Sequence, residues 1–165
     1  MATKNHIGVT LWGVPGAPAD NTDTAFEALT YVQLKGHQTL PVFGVSHSNT
    51  DVPDLSTGFS SGVKGMASGR DTQFTFHGDG SDTGIATAVD AANEQQGIYS
   101  LKIVRGTGVD TGDGPAPAPD DVVEYAHGYL HSFEGNQGDG SSHEGGSISF
   151  KQNAPTIKGV QPAAV

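Results

Sequence analysis

Val122-Val123-Glu124-Tyr125-Ala126-His127-Gly128-Tyr129-Leu130-His131-Ser132-Phe133-Glu134 is the stretch on which the fold turns. Read with a period of two, its odd positions place Val123, Tyr125, His127, Tyr129, His131 and Phe133 on one face. Its even positions place Val122, Ala126, Gly128 and Leu130 on the other. Aromatic and β-branched residues suit a pleated backbone, and sustained alternation is the signature of a strand. Apolar residues on both faces predict a central strand covered on both sides.

The same period recurs outward from this stretch. Residues 98–105 set Tyr99, Leu101 and Ile103 opposite Ser100 and Lys102. Residues 71–77 set Phe74 and Phe76 opposite Gln73, Thr75 and His77. Ile148 and Phe150 mark a strand over 146–152, and Ile7, Val9 and Leu11 one that ends before Gly13-Val14-Pro15-Gly16. Phe26, Ala28, Thr30, Val32 and Leu34 predict another strand, and 39–45 a short one, placed at an edge because Pro41 cannot donate to a ladder. One segment departs: Ile85, Ala88, Val89 and Ala92 recur at helical spacing, with Asp82 or Thr83 as N-cap and Gly97 at the C-terminal glycine position. A single thin amphipathic helix over 82–96 is expected, lying outside the sheets.

Composition agrees. The chain has 24 glycines and 9 prolines in 165 residues, about one residue in five, well above the ordinary share. Such a chain is not mostly helical. A net charge of −10, with 8 basic against 18 acidic residues, argues against gripping phosphate backbones or anionic membranes, because both depend on Lys and Arg. There is no cysteine, which removes disulfides, thiolate metal sites and cysteine nucleophiles. No apolar run reaches the ~18 residues of a membrane span, and no signal-peptide core follows the N-terminal residues, so folding in a cytoplasm is expected. With no linker or repeat, residues 1–165 read as a single domain ending in a short tail, 155–165.

Two long windows lack a period. Residues 46–70 contain Val52, Leu55, Phe59, Val63 and Met66, too apolar a set for a solvated loop, so this window is expected to pack on a neighbouring subunit. Residues 106–121, rich in Pro, Gly and Asp with almost no anchors, are expected to form an exposed, semi-stiff hairpin extension.

Motifs for chemistry are weak. Gly58-Phe59-Ser60-Ser61-Gly62 matches a nucleophile-elbow pattern, but neither the strand before nor the helix after is expected, so a Ser/Gly loop is the better reading. Asp79-Gly80-Ser81-Asp82-Thr83-Gly84 resembles a calcium loop but has Asp90 where a bidentate Glu is needed, and reads as a strand-to-helix turn. His127 and His131, four apart on a strand, would lie about 13 Å apart, too far to share an ion; interface or surface histidines are expected. Asp110, Asp113, Asp120, Asp121, Glu124, Glu134, Asp139 and Glu144 crowd the last third. Scattered acids are ordinarily solvated surface, but around a ring of copies they would line a channel that repels DNA phosphates.

The order of elements carries a resemblance. Gly8-Val9-Thr10-Leu11-Trp12 comes first, and Asn49-Thr50-Asp51-Val52-Pro53-Asp54-Leu55 opens the long loop. Asp71-Thr72-Gln73-Phe74-Thr75-Phe76, Asp82-Thr83-Gly84 with its helix, and Tyr99-Ser100-Leu101-Lys102-Ile103-Val104 follow. The 122–133 strand then leads to Gly146-Ser147-Ile148-Ser149-Phe150-Lys151-Gln152-Asn153. Over about residues 7–160 the chain resembles the major tail tube protein of long-tailed, siphovirus-like bacteriophages. The resemblance implies a mainly β fold, a β-sandwich or barrel with one flanking α-helix. It implies hexameric rings stacked into a hollow tube in the virion tail, with a jointly built β-barrel as inner wall. Expected partners are further copies of the chain, the tape-measure protein, and tail terminator and tail-tip proteins, with double-stranded DNA passing through unbound. Neither cofactor nor enzymatic activity is implied. By position, 46–70 corresponds to the inter-ring loop, with Phe59 its likeliest anchor beside Val52, Leu55, Val63 and Met66. The stretches 26–45 and 122–151 correspond to inner-wall strands. The 106–121 insertion is longer than the family hairpin. A virion decoration or adhesion β-sandwich is the alternative, and a hydrolase using Ser60 a distant third.

Overall fold

A computed structural model of the chain describes residues 6–78 and 81–163. Strands β1 (Val9–Pro15), β2 (Val32–Gln33), β5 (Asp71–His77), β6 (Ile98–Arg105), β7 (Val122–Gly135) and β8 (Gly145–Gln152) form one antiparallel sheet. Its order is β2-β1-β6-β7-β8-β5, with β9 (Ile157–Val160) paired to β7. Among the described residues, strands β3 (Val45–Asp54) and β4 (Phe59–Gly69) pair only with each other. Helices α1 (Asp23–Glu27) and α2 (Thr83–Asn93) complete the fold. The expected mainly β class with a flanking helix is what the chain adopts, with a second short helix added.

β7 is the central strand that its alternation predicts. It pairs with β6 along one edge, and along the other with β9 at Val122–Tyr125 and then β8 from Gly128 to Gly135. The register slips between Leu130 and Ser132, a bulge within the stretch paired to β8. Each face of β7 meets its own core. Ala126 and Leu130 join Leu11, Tyr99, Leu101, Phe74, Phe76, Ile148 and Phe150 beneath Ile85 and Ala88 of α2. Val123 and Tyr125 join Phe26 and Val104 on the opposite face. The rings of Phe26 and Tyr125 stack at 5.2 Å, a geometry that adds to the stabilisation from burial.

α2 starts where its cap predicts. Asp82 accepts the Ile85 N–H at 3.1 Å, and the same carboxylate oxygen accepts the Lys35 N–H at 3.3 Å, tying the helix to the end of β2. Gly84 sits so close to β2 that a Cβ there would lie 2.2 Å from the Gln33 carbonyl oxygen. The helix end differs from expectation: Glu94 caps it in extended backbone, and Gly97 lies beyond, where its carbonyl accepts the Leu130 N–H at 2.8 Å.

Three expected elements change. The strand expected over 26–34 shrinks to β2, because Thr22 caps a helical turn whose Phe26 is drawn onto Tyr125. The segment expected as a strand over 39–45 runs as irregular backbone until Val45, held to β5 by bonds such as Gln38 N–H to Thr75 O at 2.8 Å. So 26–45 is not a pair of wall strands. The tail expected over 155–165 contains β9 instead.

Candidate functional site: an exposed hairpin and an uncovered sheet face

The window 46–70, expected as an irregular loop, is an antiparallel ribbon. β3 and β4 pair from Val45↔Gly69 to Asp54↔Phe59, with a single slip between His47 and Asn49. The turn is chemically specified: Asp54 accepts the Ser56 N–H at 2.8 Å and its hydroxyl at 2.6 Å, and Gly58 takes φ +68. These bonds hold the Asp54 carboxyl below its ordinary pKa, with the Ser56 hydroxyl contributing most.

The pairing gives the ribbon two unlike faces. Directly opposed residues share a face, so Asp54/Phe59, Val52/Ser61 and Thr50/Val63 form one. Pro53/Ser60, Asp51/Gly62 and Asn49/Lys64 form the other. The first carries Val52, Phe59 and Val63 and the second only Pro53 as an apolar side chain, yet neither is covered. Leu55 is 98% exposed, Met66 86% and Phe59 78%, with Val52 and Val63 about half exposed. The five residues that the sequence singles out thus lie on one ribbon, uncovered by their own fold. Fully burying a side chain such as Phe or Leu is worth about 1.5–3 kcal/mol, which this ribbon forgoes in the isolated chain.

Ser60 lies inside β4, in a strand that runs on to Gly69, not on a strand-to-helix turn. The calcium-like stretch lies partly outside the described residues, at 79 and 80; Asp82 within it is the α2 cap. Among the described residues no group of three or more His, Cys, Asp or Glu is placed to hold a metal ion. The histidines go separate ways. His127 lies beside Phe26, where burial lowers its pKa. His131 contacts Asp71 at 3.1 Å, and His143 contacts Gln38 at 3.3 Å.

The acids of the last third do not converge either. Asp110 accepts the Gly112 N–H at 2.8 Å in its own turn, Asp113 pairs with Lys35 at 2.8 Å, and Glu124 pairs with Lys158 at 3.0 Å. Asp120 is exposed, and Glu134 is exposed near the far end of β7. Asp121, expected at a surface or lumen, is only 5% exposed. Its carboxylate accepts from Ala118 N–H at 2.6 Å, Thr107 N–H at 3.0 Å and the Thr107 hydroxyl at 2.7 Å. Burial raises its pKa, but these donors outweigh that effect and hold it below the ordinary value. The window 106–121 is therefore folded back on the body and anchored, not a free extension.

One surface escaped the sequence reading. Across β5, β8 and β7, one row runs Asp71, Lys151, Tyr129 and another Thr75, Ser147, Glu134. With Gln73 and Ser149 they make a polar face opposite the aromatic core, and Gln73 bonds Ser147 at 3.0 Å. α2 packs on the other side of these strands, against the cluster containing Phe74, Ile148 and Phe150. The alternation of 71–77 and 146–152 encodes this face as clearly as it encodes the core.

Among solved structures, the chain is similar to the SPP1 tail tube, determined by solid-state NMR and cryo-EM, with a TM-score of 0.59 and 15% identity. The match covers 94% of this chain and 78% of that one. The fold is tail-tube-like. No protein-family model matches the chain, and no curated protein matches it. Among the described residues no helix is long and apolar enough to cross a membrane.

Proposed function

We propose that this chain is the structural subunit of a bacteriophage tail tube of the long-tailed type, a virion protein without enzymatic activity or cofactor. Copies close into rings, six to a ring by the resemblance, and the rings stack into a hollow conduit for double-stranded DNA. One observation carries the reading: a chain with the tail-tube fold holds out a ribbon whose apolar residues have no cover within it. Sheet edges and apolar ribbons left open are a liability that self-assembly removes.

The uncovered polar face of β5, β8 and β7 suits the bore. Serine, threonine and glutamine offer a passing polyanion nothing cationic to bind, and with Lys151 set against Asp71 and Glu134 the charge left on this face is negative. Of the six acids expected at the lumen or the surface, this proposal puts Glu134 on the bore face and leaves Asp110, Asp113, Asp120, Asp121 and Glu124 off it. The tape-measure protein before ejection, and the terminator and tip proteins at the tube ends, are the partners such a subunit requires.

Negative-stain microscopy of the purified full chain over a concentration series tests the proposal. Tubes of uniform diameter are expected above a threshold concentration. A particle that stays monomeric at every concentration would overturn it and favour the decoration or adhesion reading.

A further inference from the structure

Lys102 occupies an apolar place. In the register of the sheet it lies between Trp12 of β1 and Tyr125 of β7, with Ile157 of β9 next in the same row. Tyr125 belongs to the second core cluster, and Trp12, Tyr31 and Ile157 pack against that cluster. The rings of Tyr31 and Tyr125 lie 5.5 and 5.9 Å from the Lys102 Nζ. Burial lowers the pKa of this ammonium, and the charge of Glu27 only partly opposes it. A lysine drawn into such surroundings ordinarily pairs with a carboxylate. Among the described residues Lys102 forms no ion pair. Its Nζ donates instead to the Oε1 of Gln161, just past β9, at 2.6 Å.

This contact lies on a cavity of about 370 Å³ whose lining includes Glu27, Tyr31, Lys102, Tyr125 and Gln161. The parts of an acyl transfer meet there. A neutral amine is a nucleophile, and burial favours the neutral form. The amide carbon of Gln161 is at most one C=O length, about 1.2 Å, farther from Nζ than the oxygen that accepts from it. Reacting atoms about 3–3.5 Å apart are poised to react, so a small turn of the amide suffices. The hydroxyl oxygens of Tyr31 and Tyr125 are buried and have no hydrogen-bond partner. Burial pushes both phenols well above their ordinary pKa, which keeps them protonated donors. Buried donors left unpaired are rare, and donors waiting for an oxygen that gains charge are what acyl transfer uses. Glu27 supplies the carboxylate, and its charge acts on both Lys102 and Tyr125.

We propose that the folded chain joins Lys102 to Gln161 by an isopeptide bond. Glu27 takes one Nζ proton, Nζ attacks the Gln161 Cδ, and the phenol hydroxyls meet the charge that builds on Oε1. A second Nζ proton passes to Nε2 of Gln161. The Cδ–Nε2 bond breaks, and ammonia leaves, taking the proton from Glu27 as ammonium. Nothing is oxidised or reduced, and no co-reactant is consumed. The bond fastens the segment after β9 to the middle of the sheet. The Gln161 backbone accepts the Asp120 N–H at 3.0 Å and donates to the Asp121 carbonyl at 2.8 Å, so the 106–121 window is tied to β6 with it. In a chain without cysteine, this link constrains the unfolded state as a disulfide does elsewhere. It forms within one copy and stands whether or not copies assemble.

Intact-mass spectrometry of the purified full chain, fresh and through a long incubation, tests the bond. A population lighter than the sequence mass by one ammonia is expected, and any growth in it should proceed at a rate independent of protein concentration. Trypsin should then leave Lys102 uncut and yield a branched peptide that carries the Gln161 segment on the Lys102 side chain. Lys102→Met and Gln161→Met, which remove the amine and the amide, should each keep their full mass. Glu27→Gln should slow the loss of ammonia by at least about a hundredfold, the scale of a general base. An unchanged wild-type mass throughout, with Lys102 cut by trypsin, would overturn the bond. Ammonia lost without a branch at Lys102, or lost equally fast from Lys102→Met, would overturn it as well. Linkage in Glu27→Gln at the wild-type rate would overturn the part given to Glu27.

Discussion

The two long windows, 46–70 and 106–121, both lack a period in the sequence and fold in opposite ways. The first becomes a paired ribbon that stands off the body with its apolar residues bare. The second, poorer in apolar residues, is drawn down onto the body. The difference lies in one carboxylate: Asp121 gathers three donors from Thr107 and Ala118 and closes the window from both ends. Asp113 adds a clasp to Lys35, and its carbonyl accepts from Gln33 at 2.6 Å. A loop is thus held by satisfied polar groups more than by its hydrophobic content. Apolar residues without an internal partner do the reverse and leave the ribbon standing off the body.

That contrast can be broken most directly at its anchor. Asp121→Ala leaves the Thr107 and Ala118 N–H groups without their acceptor, and is expected to lower unfolding stability by about 2–3 kcal/mol, read from urea denaturation. Acidification should do part of the same. Because the folded-state carboxyl titrates below its ordinary value, its stabilisation is complete above the unfolded value near ~3.9 and is lost as pH falls through the folded one. The wild-type urea midpoint should therefore drop between about pH 5 and pH 3, with part of that drop missing in Asp121→Asn. A midpoint difference between the two chains that stays constant across this range would show that the charge of Asp121 does not hold the window. The smallest effect is expected on the ribbon: Phe59→Ser should shift monomer stability by less than about 0.5 kcal/mol, as for other exposed positions, while abolishing tubes in the microscope. A large loss of monomer stability would mean that the ribbon is already packed within its own chain.

Legibility followed burial. Strands 71–77, 98–105, 122–135 and 145–152 were readable because each puts large side chains into a core on alternate positions, and Phe74, Leu101, Leu130 and Ile148 are all buried. The α2 cap was readable because Asp82 acts locally. The ribbon was not readable as strands: burial creates the alternating signal, and none of its residues is buried, so Val52 and Val63 stand among Ser, Gly and Asp. Phe26 misled for the opposite reason. Its alternation with Val32 and Leu34 was accidental, and the Thr22 cap with the Tyr125 ring decided its place. The exposed apolar residues of the ribbon could be named from sequence. The polar face of β5 and β8 was visible all along, as the unused half of the period.

The reach of β7 has a mechanical consequence. It sends side chains into both apolar clusters, and β6 beside it does the same through Leu101 and Val104, so neither cluster has a boundary along which to melt separately. The body should come apart in a single cooperative step, so fluorescence of the lone tryptophan, Trp12, packed beside the second cluster, should report the same midpoint as circular dichroism of the whole sheet. Load applied at any one strand would then be borne by the entire body at once.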